Sequence, residues 1–276
     1  MEERVSSFVG MLREICERQQ IGLRSFSGNW CHRLERDGKT ALIVGYQFGL
    51  NTASAREICR DKALTWILLS DQGVPAAEHR FLTLGQHYSE EMETEYLREC
   101  EKLLQRDGVL VLKDNYGTGG NRVYRIESIE EARETLRMIQ GFSYAAALSP
   151  YYPIDAEYRV VVLDQEPLLT IRKERATHLE NGVEVLSDWR HNLGQGARGI
   201  PETDEKLLQK LHALAVRALR AVPARFASVD IIRVGSDLLV LEINGGVMLE
   251  HFSSQDPQCR RLALSVYEQA VLKMLA

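Results

Sequence analysis

Two runs of mostly valine, isoleucine and leucine flank the tripeptide Gly235-Ser236-Asp237 in the last part of the chain. Each run is long enough for a strand, and glycine, serine and aspartate are typical of the turn between two antiparallel strands. The pattern predicts a β-hairpin over residues 226–244 with its centre at Ser236. This hairpin constrains the fold because it determines which side chains face each other across the two strands.

Acidic residues lie at equal distances from the centre of the predicted hairpin. Asp230 stands six residues before Ser236 and Glu242 stands six residues after it, so we expect their side chains to be roughly 5 Å apart. Two carboxylates at that distance repel each other unless a cation lies between them. Asn244 shares the face of Glu242, because side chains two residues apart on a strand point the same way.

Asp230, Glu242 and Asn244 therefore predict an oxygen-rich site of the kind that holds Mg²⁺ beside substrate phosphates. The alternative interpretation is a solvated polar face on which the two acids pair with lysines or arginines. The sequence favours the metal site, because the three oxygen ligands gather at one end of strands that otherwise consist mainly of Val, Ile and Leu.

A glycine-rich turn lies between two predicted strands at residues 114–121. It does not match the Walker pattern, which needs Gly-Lys-Ser/Thr at the start of a helix, or the Rossmann pattern. Glycines without β-carbons nevertheless let backbone N–H groups approach a phosphate closely. Lys113 ends the apolar strand before the turn, where an unpaired ammonium would be costly unless it meets an anion. This favours a phosphate-covering loop over the alternative, an ordinary hairpin turn.

Helices and strands alternate along the chain, whose 276 residues correspond to about two domains or one large one. This alternation is typical of an α+β protein. We expect an N-terminal α/β segment over residues 1–75, a small lobe over 76–148 and a larger C-terminal lobe with the metal site over 149–276. The longer predicted helices cover residues 3–19, 52–73, 90–105, 128–140, 203–221 and 258–275.

The composition argues against two classes of partner. The formal net charge is −5, and blocks of like charge are short, so we expect no nucleic-acid partner. The N-terminus lacks the basic and apolar stretches of a secretory signal, and no run approaches the ~20 apolar residues of a membrane span. We therefore expect a cytoplasmic protein without a membrane partner.

These residues resemble the ATP-grasp superfamily, and in particular its ligases that join a carboxylate to an amine or thiol. Ribosomal-protein glutamate ligases, glutathione synthetases and D-alanine ligases belong to this branch. The resemblance covers about residues 50–255 and depends on segments that occur in the same order as in that branch. They are Arg60-Asp61-Lys62 with Gly73-Val74-Pro75, Val111-Leu112-Lys113 with the glycines of 117–120, Glu157-Tyr158-Arg159, residues 189–194, and the set Asp230, Glu242 and Asn244.

The chain departs from that family at two places. Residues 147–150 read Ala-Leu-Ser-Pro where the ribosomal-protein ligases carry Gln-Glu, which affects the expected adenine contacts. Residues 245–251 read Gly-Gly-Val-Met-Leu-Glu-His instead of the usual turn after the magnesium asparagine. We therefore expect a different acceptor pocket.

The resemblance implies a two-lobed ATP-grasp fold with the nucleotide in the cleft between its lobes. It implies ATP and Mg²⁺ or Mn²⁺ as cofactors and an ADP-forming ligase that activates a carboxylate as an acylphosphate for attack by an amine or other nucleophile. It also implies small-molecule substrates, such as amino acids or a peptide, and is compatible with a homo-oligomer. Two alternatives stay open, a kinase that phosphorylates a small molecule and a nucleotide-binding module without catalysis.

The resemblance also implies roles for particular residues. The predicted nucleotide contacts are Lys62, Lys113, Gly117, Gly119, Gly120, Lys173 and Glu242. The predicted metal ligands are Asp230, Glu242 and Asn244, and the predicted catalytic residues are Arg159, Arg190 and Asn192, which would orient the γ-phosphate and the acylphosphate.

Overall fold

The computed structural model describes residues 6–86, 88–119, 121–175, 177–180, 183–186 and 197–276. In these ranges the helices are α1 (Ser7–Arg18), α2 (Ala53–Arg60), α3 (Lys62–Asp71), α4 (Glu90–Asp107), α5 (Ile129–Gln140), α6 (Glu205–Ala221), α7 (Glu250–Ser253) and α8 (Pro257–Met274). The first strands are β1 (Gly22–Phe26), β2 (Cys31–Arg36), β3 (Lys39–Val44), β4 (Gln47–Phe48), β5 (Arg80–Thr83), β6 (Leu110–Asp114), β7 (Val123–Ile126) and β8 (Ala145–Pro150). The later strands are β9 (Ala156–Leu163), β10 (Glu166–Glu174), β11 (Thr177–Glu180), β12 (Val183–Leu186), β13 (Arg198–Pro201), β14 (Phe226–Val234) and β15 (Asp237–Asn244).

The helices and strands agree with the predicted α+β class. Most of the described strands belong to three antiparallel sheets, and β11 and β12 form a separate pair. No helix in the described ranges combines the length and the hydropathy that a bilayer crossing requires.

The N-terminal sheet has the strand order β1-β2-β3-β4. Helix α1 contributes Leu12 and Ile15 to the core that this sheet shares with α8. The sequence predicts strands over residues 21–26 and 41–44, which are present as β1 and β3, but β2 was missed. The sequence of β2 is mostly polar, and only His32 and Leu34 are buried in it, so its pattern did not indicate a strand.

The single helix predicted over residues 52–73 is two helices, separated at Asp61. Thr52 caps α2, but Asp61 takes φ −94° and ψ 103° and ends that helix. The Asp61 side chain then caps α3 by accepting a hydrogen bond from Leu64 N at 2.8 Å. Periodicity did not reveal the break because apolar residues continue on both sides of it. The break puts Lys62 in the first turn of α3.

The second sheet has the strand order β5-β8-β6-β7 and is covered by α4 and α5. In β6, Leu110 and Leu112 pack into the core that includes these helices. Because side chains alternate along a strand, Val111 and Lys113 point to the opposite face. That face lines a large cavity.

The third and central sheet has the strand order β13-β10-β9-β14-β15. Val160 and Val162 pack with α6 on one face. Val161 and Phe226 belong to the core that includes α1 and α8 on the other face. Arg159 lies two residues before Val161, and Asp230 lies four residues after Phe226, so both side chains share this second face.

Strands β14 and β15 form the predicted hairpin, and Asp230 lies directly opposite Glu242. The predicted turn was wrong in its length. Val234 pairs with Asp237, so Gly235-Ser236 is a two-residue turn and Asp237 already belongs to β15. Such tight turns need a positive φ, and glycine in the first position supplies it at +59°.

A bulge in β15 compensates for the shorter turn. Ile231 pairs with Val240, whereas the preceding Asp230 pairs with Glu242, so Leu241 is an additional residue without its own partner. Leu241 and Glu242 both line the large cavity. The bulge therefore puts an apolar and an acidic side chain next to each other in the same wall.

Candidate functional site

A cavity of about 670 Å³ lies where the three sheets meet. Strand β6 and the loop after it form one wall, the central sheet forms the second, and residues of the N-terminal sheet and α2 form its mouth. A cleft of this size between sheets is the usual place for a small-molecule ligand. Nine of the predicted site residues line it, namely Lys62, Lys113, Gly117, Gly119, Arg159, Lys173, Asp230, Glu242 and Asn244.

The Lys113 ammonium is buried in this cavity without a protein partner. Its side chain is 9% exposed, and among the described residues it forms no hydrogen bond or ion pair. Burial lowers the pKa of Lys113 to about 8, with a further lowering from Lys62 and an opposing effect of Glu242 and Glu157. A desolvated ammonium of this kind is stabilised by an anionic ligand.

Lys62 reaches the glycine-rich loop. Its ammonium donates to the backbone oxygen of Gly117 and, at 3.3 Å, to that of Asn115. The Asn115 side chain contacts α3, the helix that carries Lys62, because its Oδ1 accepts a hydrogen bond from Ala63 N at 3.2 Å. Lys62 therefore lies in the cavity wall as expected, and it also joins the start of α3 to the loop.

The loop opens with two glycines that face the cavity. Gly117 is packed tightly, because a β-carbon there would be 3.1 Å from the Asp114 side chain. Gly119 has φ +70°, a left-handed conformation that glycine adopts without strain. Gly120 lies outside the described residues.

Asp230 is held between two cationic side chains. Arg159 binds it with two hydrogen bonds, from Nε to Oδ1 at 2.8 Å and from Nη2 to Oδ2 at 2.7 Å, and Lys173 Nζ lies 3.0 Å from Oδ2. Burial alone would raise the pKa of Asp230, but Arg159 and Lys173 outweigh it and hold that pKa well below its ordinary value. Lys173 also donates to the buried carboxylate of Glu157.

Glu242 and Asn244 form the part of the predicted metal site that faces the cavity. Asn244 Nδ2 donates to Glu242 Oε1 at 3.2 Å, which leaves Asn244 Oδ1 and Glu242 Oε2 for another ligand. Carboxylate and amide oxygens fit a hard divalent cation.

Asp230 differs from these two residues because both of its oxygens are bound by cationic side chains. The described residues contain no group of three or more His, Cys, Asp or Glu that could hold a metal ion. The donor set therefore fits a cation at Glu242 and Asn244, with Asp230 opposite Glu242 on the neighbouring strand, and the assignment of ligands stays a prediction.

Two predicted catalytic residues, Arg190 and Asn192, lie outside the described residues. Glu157 and Ser228 were not predicted. Glu157 is two residues before Arg159 on the same face of β9, and strand alternation alone could have identified it. Ser228 lies opposite Asn244, and its buried Oγ has no hydrogen-bond partner among the described residues.

Comparison with known proteins agrees with this architecture. Residues 59–257 match the family of RimK-like ATP-grasp domains. A D-alanine–D-alanine ligase from Bacillus anthracis is similar, with a TM-score of 0.59 at 18% identity over 82% of this chain and 68% of the ligase. A bifunctional glutathione synthetase from Pasteurella multocida has a TM-score of 0.60 at 13% identity over 97% of this chain and 45% of the synthetase.

A third solved structure, the ATP-grasp ligase PsnB complexed with a minimal precursor, has a TM-score of 0.53 at 18% identity. It is matched over 78% of this chain and 63% of PsnB. No curated protein sequence matches the chain. These solved structures support the fold, and the family match covers well over half of the chain. The chain therefore belongs to the family of RimK-like ATP-grasp domains.

Proposed function

We propose that the protein is an ATP-dependent ligase that joins a carboxylate to an amine and releases ADP and phosphate. The observation that carries this proposal is the buried ammonium of Lys113, which has no hydrogen bond or ion pair among the described residues and shares one cavity with Glu242 and Asn244. A cationic group and a pair of oxygen ligands in one cleft suit a nucleotide phosphate with its metal ion. The family match supports the same class of reaction.

The chemistry needs an activated acid, because the oxygen of a free carboxylate is a poor leaving group. Transfer of the γ-phosphoryl group gives an acylphosphate, and the amine then displaces phosphate from it. A bound Mg²⁺ would supply positive charge to the phosphate oxygens. Glu242 Oε2 and Asn244 Oδ1 are the atoms that would hold it.

The protein's own groups would position and neutralise the phosphates. Lys113 would make charge-assisted hydrogen bonds with phosphate oxygens from its buried position in the cavity wall. Arg159 uses Nε and Nη2 for Asp230, so its Nη1 is the nitrogen that would contact the transferred group. Asp230 and Glu157 hold Arg159 and Lys173 in place, and Gly117 and Gly119 would let backbone N–H groups come close to phosphate.

A phosphate-release screen tests this proposal. Purified protein is incubated with ATP, Mg²⁺ and pairs of amino acids or short peptides, and the nucleotide product and the mass of any adduct are measured. We expect ADP, phosphate and a condensed product. A substrate phosphorylated on a hydroxyl group without an amine would instead indicate a kinase, and no turnover across a broad panel at saturating ATP would support a nucleotide-binding module.

A further inference from the structure

The mouth of the cavity presents apolar side chains that the protein itself does not cover. Trp30, Val44 and Met248 are 59%, 42% and 36% exposed, and all three line the cavity. Val44 ends β3 of the N-terminal sheet and Trp30 lies in the turn between β1 and β2, whereas Met248 follows the hairpin that carries Glu242. This apolar rim (Trp30, Val44 and Met248) therefore lies where the N-terminal sheet meets the candidate metal site.

Trp30 is held in position by Gly45. The backbone N–H of Gly45 donates to Trp30 O at 2.8 Å. Gly45 has φ +56°, and a β-carbon there would be only 2.6 Å from the indole Cη2. The indole is therefore packed directly on bare backbone, although more than half of the residue is exposed to solvent.

Two contacts attach the N-terminal sheet to the loop that follows Asn244. Tyr46 donates a hydrogen bond to the carboxylate of Glu250. With the Gln47 amide oriented to satisfy both of its groups, its nitrogen donates to Gly245 O at 3.1 Å and its oxygen accepts from Gly246 N at 3.2 Å. The apolar rim is thus fixed relative to the candidate metal site.

Cationic side chains lie on the neighbouring part of the mouth. Arg56 and Arg60 are one turn apart on α2, and both line the cavity. Cys59 of the same helix packs close to Gly245, where a β-carbon would be 3.6 Å from Cys59 Cβ. The arginines of α2 and the apolar rim therefore both border the loop after Asn244. Arg60 contacts Glu57 at 3.5 Å on the surface, a pair that a carboxylate ligand can replace at little cost.

We propose that the mouth binds the amine substrate and that this substrate is an amino acid with an apolar side chain. Its carboxylate would bind Arg56 and Arg60, and its side chain would lie against Trp30, Val44 and Met248. A carboxylate held by two guanidinium groups is not the one activated, so this substrate reacts through its amine. Charge complementarity would stabilise the contact of the carboxylate with the arginines, and removal of apolar surface from water would stabilise the contact of the side chain with the apolar rim.

The inference rests on the proposed ligase function. The reaction needs only the acylphosphate and the amine of the amino acid. The amine nitrogen forms a bond with the acyl carbon, the bond from that carbon to the phosphate oxygen breaks, and phosphate leaves. The ammonium group of the substrate loses two protons, one before the attack and one as the amide forms; one of them goes to the leaving phosphate and the other to solvent. No oxidant or further reactant is needed.

Equilibrium binding without turnover tests the inference. Calorimetry is carried out with the protein, a non-hydrolysable ATP analogue and Mg²⁺. The ligands are leucine, phenylalanine, alanine, glutamate and leucinamide, each as both enantiomers. We expect leucine and phenylalanine to bind about tenfold or more tightly than alanine, because apolar pockets discriminate to this extent. Glutamate should bind no better than alanine. Leucinamide should bind at least about tenfold more weakly than leucine, because it lacks the charged partner for the arginines.

Variants separate the two contacts. Trp30→Ala should remove the preference for leucine over alanine, and Trp30→Phe should restore part of it. Arg56→Gln combined with Arg60→Gln should weaken the binding of all four acids. Leu42→Ala and Arg261→Gln are matched controls, because Leu42 is exposed on the same strand as Val44 without lining the cavity and Arg261 is exposed on α8. Both controls should bind as the unmodified protein does, and thermal melting should show that every variant folds.

Several results would overturn the inference. They are equal affinity for leucine and alanine, equal affinity for leucine and leucinamide, or no binding of any of the four acids. A loss of leucine affinity in Leu42→Ala as large as that in Trp30→Ala would also overturn the inference. The exposed face of β3 would then contribute to binding as much as the apolar rim does, as expected for a larger partner. Phosphate release with other substrate pairs would leave the ligase proposal intact in these cases. Conversely, the predicted binding without any phosphate release would support the pocket and contradict the ligase proposal.

Discussion

Asp230 and Glu242 lie directly opposite each other across the β14–β15 hairpin, yet their environments differ. Asp230 is 1% exposed and both of its oxygens are bound by Arg159 and Lys173. Glu242 faces the cavity, and its hydrogen bond among the described residues comes from Asn244. One carboxylate therefore neutralises buried cations, and the other is available to a ligand.

Glu242→Gln should separate nucleotide binding from turnover. The substitution keeps the size of the side chain but removes the negative charge that would hold Mg²⁺. We expect ATP affinity by calorimetry to change little, because Lys113 and the glycine-rich loop are intact. Phosphate release should fall by about a hundredfold or more, since a metal ion supplies several kcal/mol of charge stabilisation.

Glu268→Gln is the control for this variant, because Glu268 pairs with Arg18 at the far end of α1, away from the cavity. It should keep normal turnover. If Glu242→Gln also releases phosphate at the normal rate when Mg²⁺ is limiting, the hairpin has only a structural role.

Asp230→Asn should act mainly on stability. It leaves Arg159 buried without its negative partner and Lys173 still paired with Glu157, and breaking a buried ion pair in this way costs about 3–5 kcal/mol. We expect denaturant titration to show a decrease of that size in the free energy of unfolding. The decrease in the free energy of unfolding for Glu242→Gln should be far smaller. Equal losses for the two variants would contradict the different roles assigned to these carboxylates.

The same ion pairs predict a direction for the effect of acid. The pKa of Asp230 is held below its ordinary value in the folded protein, so its stabilising contribution is complete above the unfolded-state pKa of about 3.9. That contribution is lost as the pH falls through the folded-state pKa. The difference in stability between the unmodified protein and Asp230→Asn should therefore shrink in strong acid, as measured by denaturant unfolding at a series of pH values.

Lys113→Met should weaken ATP binding and stabilise the free protein. Charge-assisted hydrogen bonds contribute about 1.5–3 kcal/mol each, so affinity should fall roughly tenfold or more. Without nucleotide, burial lowers the pKa of Lys113 from 10.5 to about 8, which corresponds to roughly 3 kcal/mol of unfavourable burial at neutral pH. Methionine has a similar length and no charge, so the variant should recover part of this unfavourable free energy as a gain in stability. Lys102→Met, an exposed substitution on α4, should change neither quantity.

The pKa of Lys113 also predicts how ATP affinity depends on pH. Its ammonium form binds phosphate, and in the free protein this form is lost as the pH rises through about 8. ATP affinity should therefore decrease by about tenfold between pH 7 and pH 9, with proton uptake on binding near pH 8. Calorimetry in buffers of different ionisation enthalpy measures both. The same dependence in Lys113→Met would show that another group is responsible.

The hairpin shows how far the sequence could predict the site. The pairing of Asp230 with Glu242 was predicted from a turn centred on Ser236, but the turn is one residue shorter and a bulge at Leu241 restores the pairing. The shorter turn and the bulge shift the register by one residue in opposite directions, so the pairing is unchanged. Residue type does not reveal the bulge, because leucine also occupies ordinary strand positions. For Lys113, the position at the end of an apolar strand was sufficient to predict an ammonium that needs an anion, and the structure buries it in the cavity.

Other features depend on contacts between distant segments. Asp61 is a common helix residue, and its role in separating α2 from α3 is visible only through its backbone angles. Trp30 and Gln47 gave no indication of a role, since Trp30 reaches the mouth through Gly45 and Gln47 through the Gly245-Gly246 peptide. Local periodicity carries no information about such pairs.

Isotope transfer tests the ligase account most directly. A carboxylic acid that supports phosphate release is labelled with oxygen-18 in its carboxylate and incubated with the protein, ATP, Mg²⁺ and the amine. When the reaction passes through an acylphosphate, one carboxylate oxygen becomes part of the released phosphate. Mass spectrometry should therefore find one heavy oxygen in the phosphate, and the nucleotide product should be unlabelled ADP. Unlabelled phosphate, or AMP with pyrophosphate, would contradict the account.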